Sequence, residues 1–240
     1  MSASPVPLAT LNRALDVLEA FSEERVEWGL SELSRELGVG KPTLHRVLRN
    51  LEHRGYLRQD PVSKRYRLGY AALRISQVAI AATPIDAANP RLRELARSVG
   101  EQTTLWVLDV DHAVCVAKIS GRHALRTHTD LGAREPVFFI ASGRCLVADH
   151  DEGALVGLPG YARFHGNLEG IREQGYEISR GDRWPDVGAV AAPIRDHRQR
   201  IVAAVAVSAA LSRFDEHQFQ AIAIAVRDAA ADISRELGAV

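Results

Sequence analysis

The sequence has little with which to staple itself or cross a membrane. Of its 240 residues only two are cysteines, Cys115 and Cys145, so no disulfide framework is expected. No run of about 18 uncharged apolar residues occurs, which excludes a membrane-spanning helix by that criterion. Residues 1–10 lack the basic start and continuous apolar stretch of a secretory signal, so the expected location is the cytoplasm. Neither standard glycine-rich phosphate loop is found, nor an obvious pair of cleft carboxylates, which removes the usual signs of an enzyme. Net charge is absent too: 30 basic residues balance 30 acidic ones. What remains is an ordinary globular composition, 46% apolar and 25% charged, in a chain long enough for two modest domains.

Charge is nevertheless unevenly placed. Residues 41–67 hold eight basic side chains and two acidic ones, Glu52 and Asp60, so a neutral protein carries one cationic segment. Upstream, Thr10 is the expected N-cap of a first helix with Leu11, Ala14, Leu15, Leu18 and Phe21 at helical spacing. Ser31 is the expected cap of a short second helix, without the acidic partner of a full capping box, and Gly38 ends it. A third helix starts near Lys41, with Pro42 in its first turn; Leu44, Val47, Leu48 and Leu51 form its core face. That leaves Thr43, His45, Arg46, Arg49, Asn50 and His53 on other faces.

Two helices joined by a short glycine turn form a helix-turn-helix, whose second helix enters the major groove of double-stranded DNA. Thr43 and Arg46 are placed to read bases, and Ser31, Lys41, His45 and Arg49 complete the expected contact set on the helices. The runs YLRQD and RYRLG around PVSK predict a β-hairpin wing, whose Lys64 and Arg65 would pair with phosphates. The competing reading of the basic face alone, a merely solvated charge run, does not account for the order of helices, glycine turn and basic-tipped hairpin.

The segments TLNRALDVLEAF, GLSELSRELGVGKPTLHRVLRNLEHRGYL and KRYRLG resemble the winged helix-turn-helix of the IclR (isocitrate lyase regulator) family of bacterial transcription factors. The resemblance continues more weakly through REPVFFIASGRCLVA, VAAPI and AVAVSAALSRFDE. Pro42 departs from it, since serine or threonine is common there and a hydroxyl contact to phosphate is lost. The resemblance implies an α+β fold: a winged helix-turn-helix over residues 1–69, a linker and dimerisation helix over 70–84, and a GAF-like effector-binding domain over 85–240. It also implies a repressor rather than an activator.

In the linker, Leu73, Ile75, Val78, Ala79 and Ile80 spread over more than one face, which predicts burial on two sides, by a second copy or by the chain itself. A homo-dimer or tetramer on a pseudo-palindromic operator follows from the half-site geometry of one recognition helix. Further on, ANPRLRELARSVG predicts a helix; TTLWVLDV and AVCVAKIS a hairpin; VGAVAAPI and RIVAAVAVSAA two strands; and residues of about 215–237 a closing amphipathic helix.

Cys145, with His150 near it, is the residue an alternative enzymatic reading would use as nucleophile; its apolar run CLVA equally fits a buried helix face. Cys115 with His112 supplies two donors, too few for a zinc site. The family's effector loop matches Leu131, Gly132, Arg134, Pro136, Ala141 and Gly143, but Phe138 and Ile140 stand where histidine and threonine are common, and Arg144 replaces lysine. Members that bind small keto acids have aspartate, cysteine and two serines at the positions of Ser179, Ala189, Ala206 and Ser208. Only Ser208 keeps its polar type; loss of the others, with Trp106, Phe138, Phe139 and Trp184 adding apolar surface, predicts a pocket for a small aromatic acid or related aromatic metabolite. A constitutive DNA binder with an unused pocket is the remaining option.

Overall fold

The computed structural model describes residues 8–22, 25–81, 83–122 and 129–239. The chain divides between Ala79 and Ile80 into two compact units. The first holds α1 (Ala9–Glu19), β1 (Glu27–Trp28), α2 (Leu30–Glu36), α3 (Lys41–His53), β2 (Leu57–Gln59) and β3 (Tyr66–Leu68), after which α4 (Ala71–Ala81) runs through the point of division. Its core is built from Val17 of α1, Leu33 of α2, Leu44 and Leu48 of α3, and Leu57 and Tyr66 of the hairpin, all with at most 1% of their surface exposed. The helical spacing of Leu44, Val47 and Leu48 turns one stripe of α3 inward, and its opposite face is left to solvent.

Two helix starts differ from the sequence expectation. Thr10 lies inside α1, whose N-cap is Leu8 without a side-chain cap. Ser31 is likewise inside α2, which begins at Leu30 after Gly29. The acidic partner missed when counting from Ser31 is Glu32: its carboxylate accepts from the N–H of Gly29, the extended N-cap of α2, at 3.2 Å. β1 itself, two residues pairing with β3, was too short to announce itself in the sequence. In α4 no residue is buried: Leu73, Ile75 and Val78 are 59%, 51% and 73% exposed, so the chain does not provide the two-sided cover its pattern predicts.

The second unit contains α5 (Ile85–Val99), β4 (Gln102–Asp109), β5 (His112–Ile119), β6 (Arg134–Pro136), α6 (Ala141–Leu146), α7 (Glu152–Leu155), α8 (Tyr161–Phe164), α9 (Asn167–Gln174), β7 (Glu177–Arg180), β8 (Val187–Arg195), β9 (Ile201–Ala210) and α10 (Glu216–Glu236). The strands form one antiparallel sheet in the order β6-β5-β4-β9-β8-β7. This is the expected α+β arrangement. Alternation decides its two faces. Leu105, Val205 and Val207 pack against Leu92 and Leu95 of α5 and Phe219 and Val226 of α10. Trp106, Ala204 and Ala206 point the other way, towards Phe138, Cys145, Leu146 and Ile171. Bulky residues thus fill one side, whereas alanines on the other leave volume beneath α6.

Candidate nucleic-acid interface and ligand pocket

The turn between α2 and α3 needs a left-handed residue and obtains it from Gly38 at φ 63°. Ser34 closes the turn by donating its hydroxyl to the Val39 carbonyl at 2.7 Å. With its apolar stripe held, α3 presents Lys41, Thr43, His45, Arg46 and Arg49 to solvent, all exposed, and Ser31 is exposed on α2. Thr43 and Arg46 line an open groove where α1 crosses α3, together with Asn50, Arg54, Tyr56 and Arg13. Three arginines and no carboxylate line it. Arg13 was missing from the sequence-derived set because its place beside α3 depends on that crossing, which no linear pattern reports. Arg49 is paired with Glu52 at 3.1 Å, whereas Lys41, Arg46 and Lys64 have no carboxylate partner among the described residues.

The wing forms as expected, with Leu57, Arg58 and Gln59 of β2 opposite Leu68, Arg67 and Tyr66 of β3. Asp60 shapes its turn: one carboxylate oxygen accepts from the N–H groups of Val62 and Ser63 at 3.0 and 2.7 Å. Lys64 stands exposed near the tip. Arg65 is only partly exposed and is already engaged by carboxylates. Its guanidinium donates to Glu32 at 2.8 and 3.1 Å and lies 3.3 Å from Glu27, while Arg67 pairs with the same Glu27 at 2.6 Å. Hydrogen bonds from Arg65 first, and from the Gly29 N–H next, lower the Glu32 carboxyl to about 2. Part of the cationic excess of residues 41–67 is therefore neutralised by two glutamates upstream of that window.

In the second unit a small cavity of about 30 Å³ lies between the alanine-lined sheet face and the start of α6. Eight of the expected effector residues line it: Trp106, Phe139, Ala141, Ser179, Trp184, Ala189, Ala206 and Ser208. Thr129, Ile140, Ser142, Arg183 and Val187 join them. Val187 opens the strand predicted from VGAVAAPI, and Ser142 lies in the first turn of α6. Four expected residues are elsewhere. Leu131 is 57% exposed and Gly132 holds a left-handed turn whose N–H donates to the Cys115 carbonyl. Phe138 is fully buried with its ring edge-on to Tyr161 at 5.5 Å. Gly143 serves packing, because a Cβ there would sit 2.2 Å from the Val137 carbonyl oxygen.

Among the described residues, the arginines near the cavity are already paired. Arg144 is fully buried and donates to Glu177, Asp182 and the Phe138 carbonyl at 2.7, 2.7 and 2.8 Å. Arg183 donates to Glu135 at 2.7 Å and lies over the Trp184 ring at 5.3 Å. Cys145 is wholly buried on α6, and burial, with the Glu177 carboxylate adding to it, pushes its thiol well above the ordinary value. A nucleophile must be a thiolate within reach of a substrate, so the Cys145 reading is corrected. Burial likewise pushes Cys115 up to about 12, and His112 pairs with Asp111 at 2.7 Å.

Residues 10–61 match the family described as the IclR helix-turn-helix domain, and residues 77–157 and 160–235 match that described as bacterial transcriptional regulator IclR C-terminal. The chain is 30% identical to the HTH-type transcriptional regulator XynR of Escherichia coli K12, over 96% of this chain and 98% of that one. Its fold is similar to that of Thermotoga maritima IclR, with a TM-score of 0.78 at 22% identity over 97% and 100% of the two chains. It is also similar to an IclR homologue from Microbacterium hydrocarbonoxydans, complexed with 4-hydroxybenzoate, with a TM-score of 0.74 at 23% identity over 95% and 99%.

Proposed function

The chain belongs to the IclR family of DNA-binding transcriptional regulators, and on that premise we propose that it is a cytoplasmic, ligand-responsive repressor that binds a pseudo-palindromic operator as a homo-dimer or tetramer. The observation that carries this is α3: an inward stripe of Leu44, Val47 and Leu48 beside a solvent face whose Arg46 and Lys41 have no carboxylate partner among the described residues. Such a rod can enter a major groove without unfolding anything. Lys64 at the wing supplies a backbone contact that positions the protein. The exposed apolar residues Leu11 and Leu15 of α1 and Leu73, Ile75 and Val78 of α4 support association of two copies.

The cavity is the effector site in this proposal, and its ligand is a small aromatic acid or related aromatic metabolite. Trp106, Phe139, Ile140 and Trp184 supply flat apolar wall, and Thr129, Ser142, Ser179 and Ser208 a few hydroxyls. The 4-hydroxybenzoate complex belongs to the Microbacterium protein, whose likeness here is one of fold; the aromatic reading rests on the walls. Ligand acts on DNA binding only through different affinity for the two arrangements of the paired recognition helices.

Selection of bound duplexes from a random pool, followed by titration of the recovered site with and without candidate acids, tests the proposal. Recovery of a two-fold symmetric site released by an aromatic acid is expected. Recovery of no preferred sequence, or release by pyruvate and glyoxylate alone, would overturn the operator or the effector part respectively.

A further inference from the structure

Gln102 opens β4 on the cavity side of the sheet. The register fixes that side: Gln102 lies opposite Ser208, Thr104 opposite Ala206 and Trp106 opposite Ala204. Ser208, Ala206 and Trp106 line the cavity, and residues facing one another across an antiparallel pair share a face, about 5 Å apart at Cβ. Gln102 is 5% exposed, and among the described residues neither its Nε2 nor its Oε1 has a hydrogen-bond partner. Its neighbours on the strand do not compete for it, because Trp106 donates its indole N–H to Thr104 Oγ1 at 2.8 Å. Ser179 and Ser208 line the cavity in the same cross-strand row, and Gln102 stands next in that row, one strand beyond the lining residues.

A buried carboxamide without a partner costs stability, and a fold keeps one where something else completes it. We infer that Gln102 is a recognition residue of the effector pocket, and that the ligand presents a hydroxyl group to it. The inference deepens the reading of this cavity as the effector site and rests on it. The chemistry selects the hydroxyl. Gln102 offers a donor and an acceptor side by side. A carboxylate would satisfy Nε2 but set its charge against Oε1, and among the described residues the nearby cations Arg144 and Arg183 are both held by carboxylates. A hydroxyl both accepts from Nε2 and donates to Oε1 or to Ser208. The ligand class is therefore a hydroxylated ring acid rather than the unsubstituted acid.

Calorimetric titration of the full chain with benzoate, 3-hydroxybenzoate, 4-hydroxybenzoate and pyruvate, repeated on Gln102→Met, tests this. At least one hydroxybenzoate is expected to bind about 10-fold or more tighter than benzoate, and Gln102→Met to bring that ratio close to one while leaving benzoate affinity in place. Without ligand, Gln102→Met is expected to raise Tm by about 2–6 °C, because it removes an unpaired buried amide at nearly constant volume. A drop in Tm would mean that the amide is already bonded within the fold, and equal weakening of benzoate and hydroxybenzoates would make it a packing residue; either overturns the inference and leaves the pocket standing. Binding of pyruvate but of no ring acid removes the effector reading itself, and Gln102's role with it.

Discussion

Arg65, immediately before β3 of the wing, donates to Glu32, in the first turn of α2, at 2.8 Å, and the same guanidinium lies 3.3 Å from Glu27 of β1. The pair joins the hairpin to the helix that precedes the recognition helix, so the tip carrying Lys64 is held in a set direction relative to α3. Both side chains are about one-third exposed, so the value of the bond lies in geometry more than in net stability.

Glu32→Gln should therefore weaken binding to operator and random duplexes alike, by loosening the wing. Its pH signature has a definite sign. The folded Glu32 carboxyl sits at about 2, below the ordinary 4.5. Its contribution is present above about pH 4.5 and is lost as pH falls towards 2. The difference in urea midpoint between the native chain and Glu32→Gln should stay constant from pH 8 to about 5.5 and shrink below about 4.5. A difference that grows on acidification would refute the pairing.

Arg46 and Lys64 should separate in a salt titration. Arg46→Ala is expected to cost about 1–3 kcal/mol on the selected operator and much less on random DNA, if it reads a base edge. Lys64→Ala should weaken both duplexes similarly and lower the slope of log affinity against log salt by about one. Identical behaviour of the two variants would place both on phosphates.

Arg144 stands where its relatives' lysine is expected, and it is fully enclosed by Glu177, Asp182 and the Phe138 carbonyl. Arg144→Ala leaves a buried carboxylate uncompensated, at a cost of about 3–5 kcal/mol in urea unfolding of the second unit. Arg144→Lys keeps the charge but not the planar fork that reaches two carboxylates, so a smaller loss is expected. A loss under about 1 kcal/mol for the alanine variant would contradict the enclosure.

Leu73→Lys with Val78→Lys places two charges on a surface of α4 that the chain leaves uncovered. If that surface pairs two copies, sedimentation should show the variant as a monomer, with its operator affinity reduced to that of a half-site. An unchanged sedimentation coefficient would move the interface elsewhere.

Much of this was written locally. The spacing of Leu44, Val47 and Leu48, the glycines around the turn, and the alternation in residues 201–210 determine a recognition helix and a two-faced strand, because each depends only on side-chain period and backbone sterics. Of the expected effector residues, Ser179, Ala189, Ala206 and Ser208 reached one cavity for the same reason: alternate small residues on neighbouring strands share a face. Contacts that join distant segments were decided by tertiary structure. Arg65 counts as a cation in any window of sequence, yet Glu32 lies 33 residues before it. Arg13 joins the groove beside α3 only because α1 crosses there, and Gln102 becomes an unpaired amide beside Ser208 only when β4 and β9 pair. Periodicity specifies which way a residue points; only packing specifies what it meets.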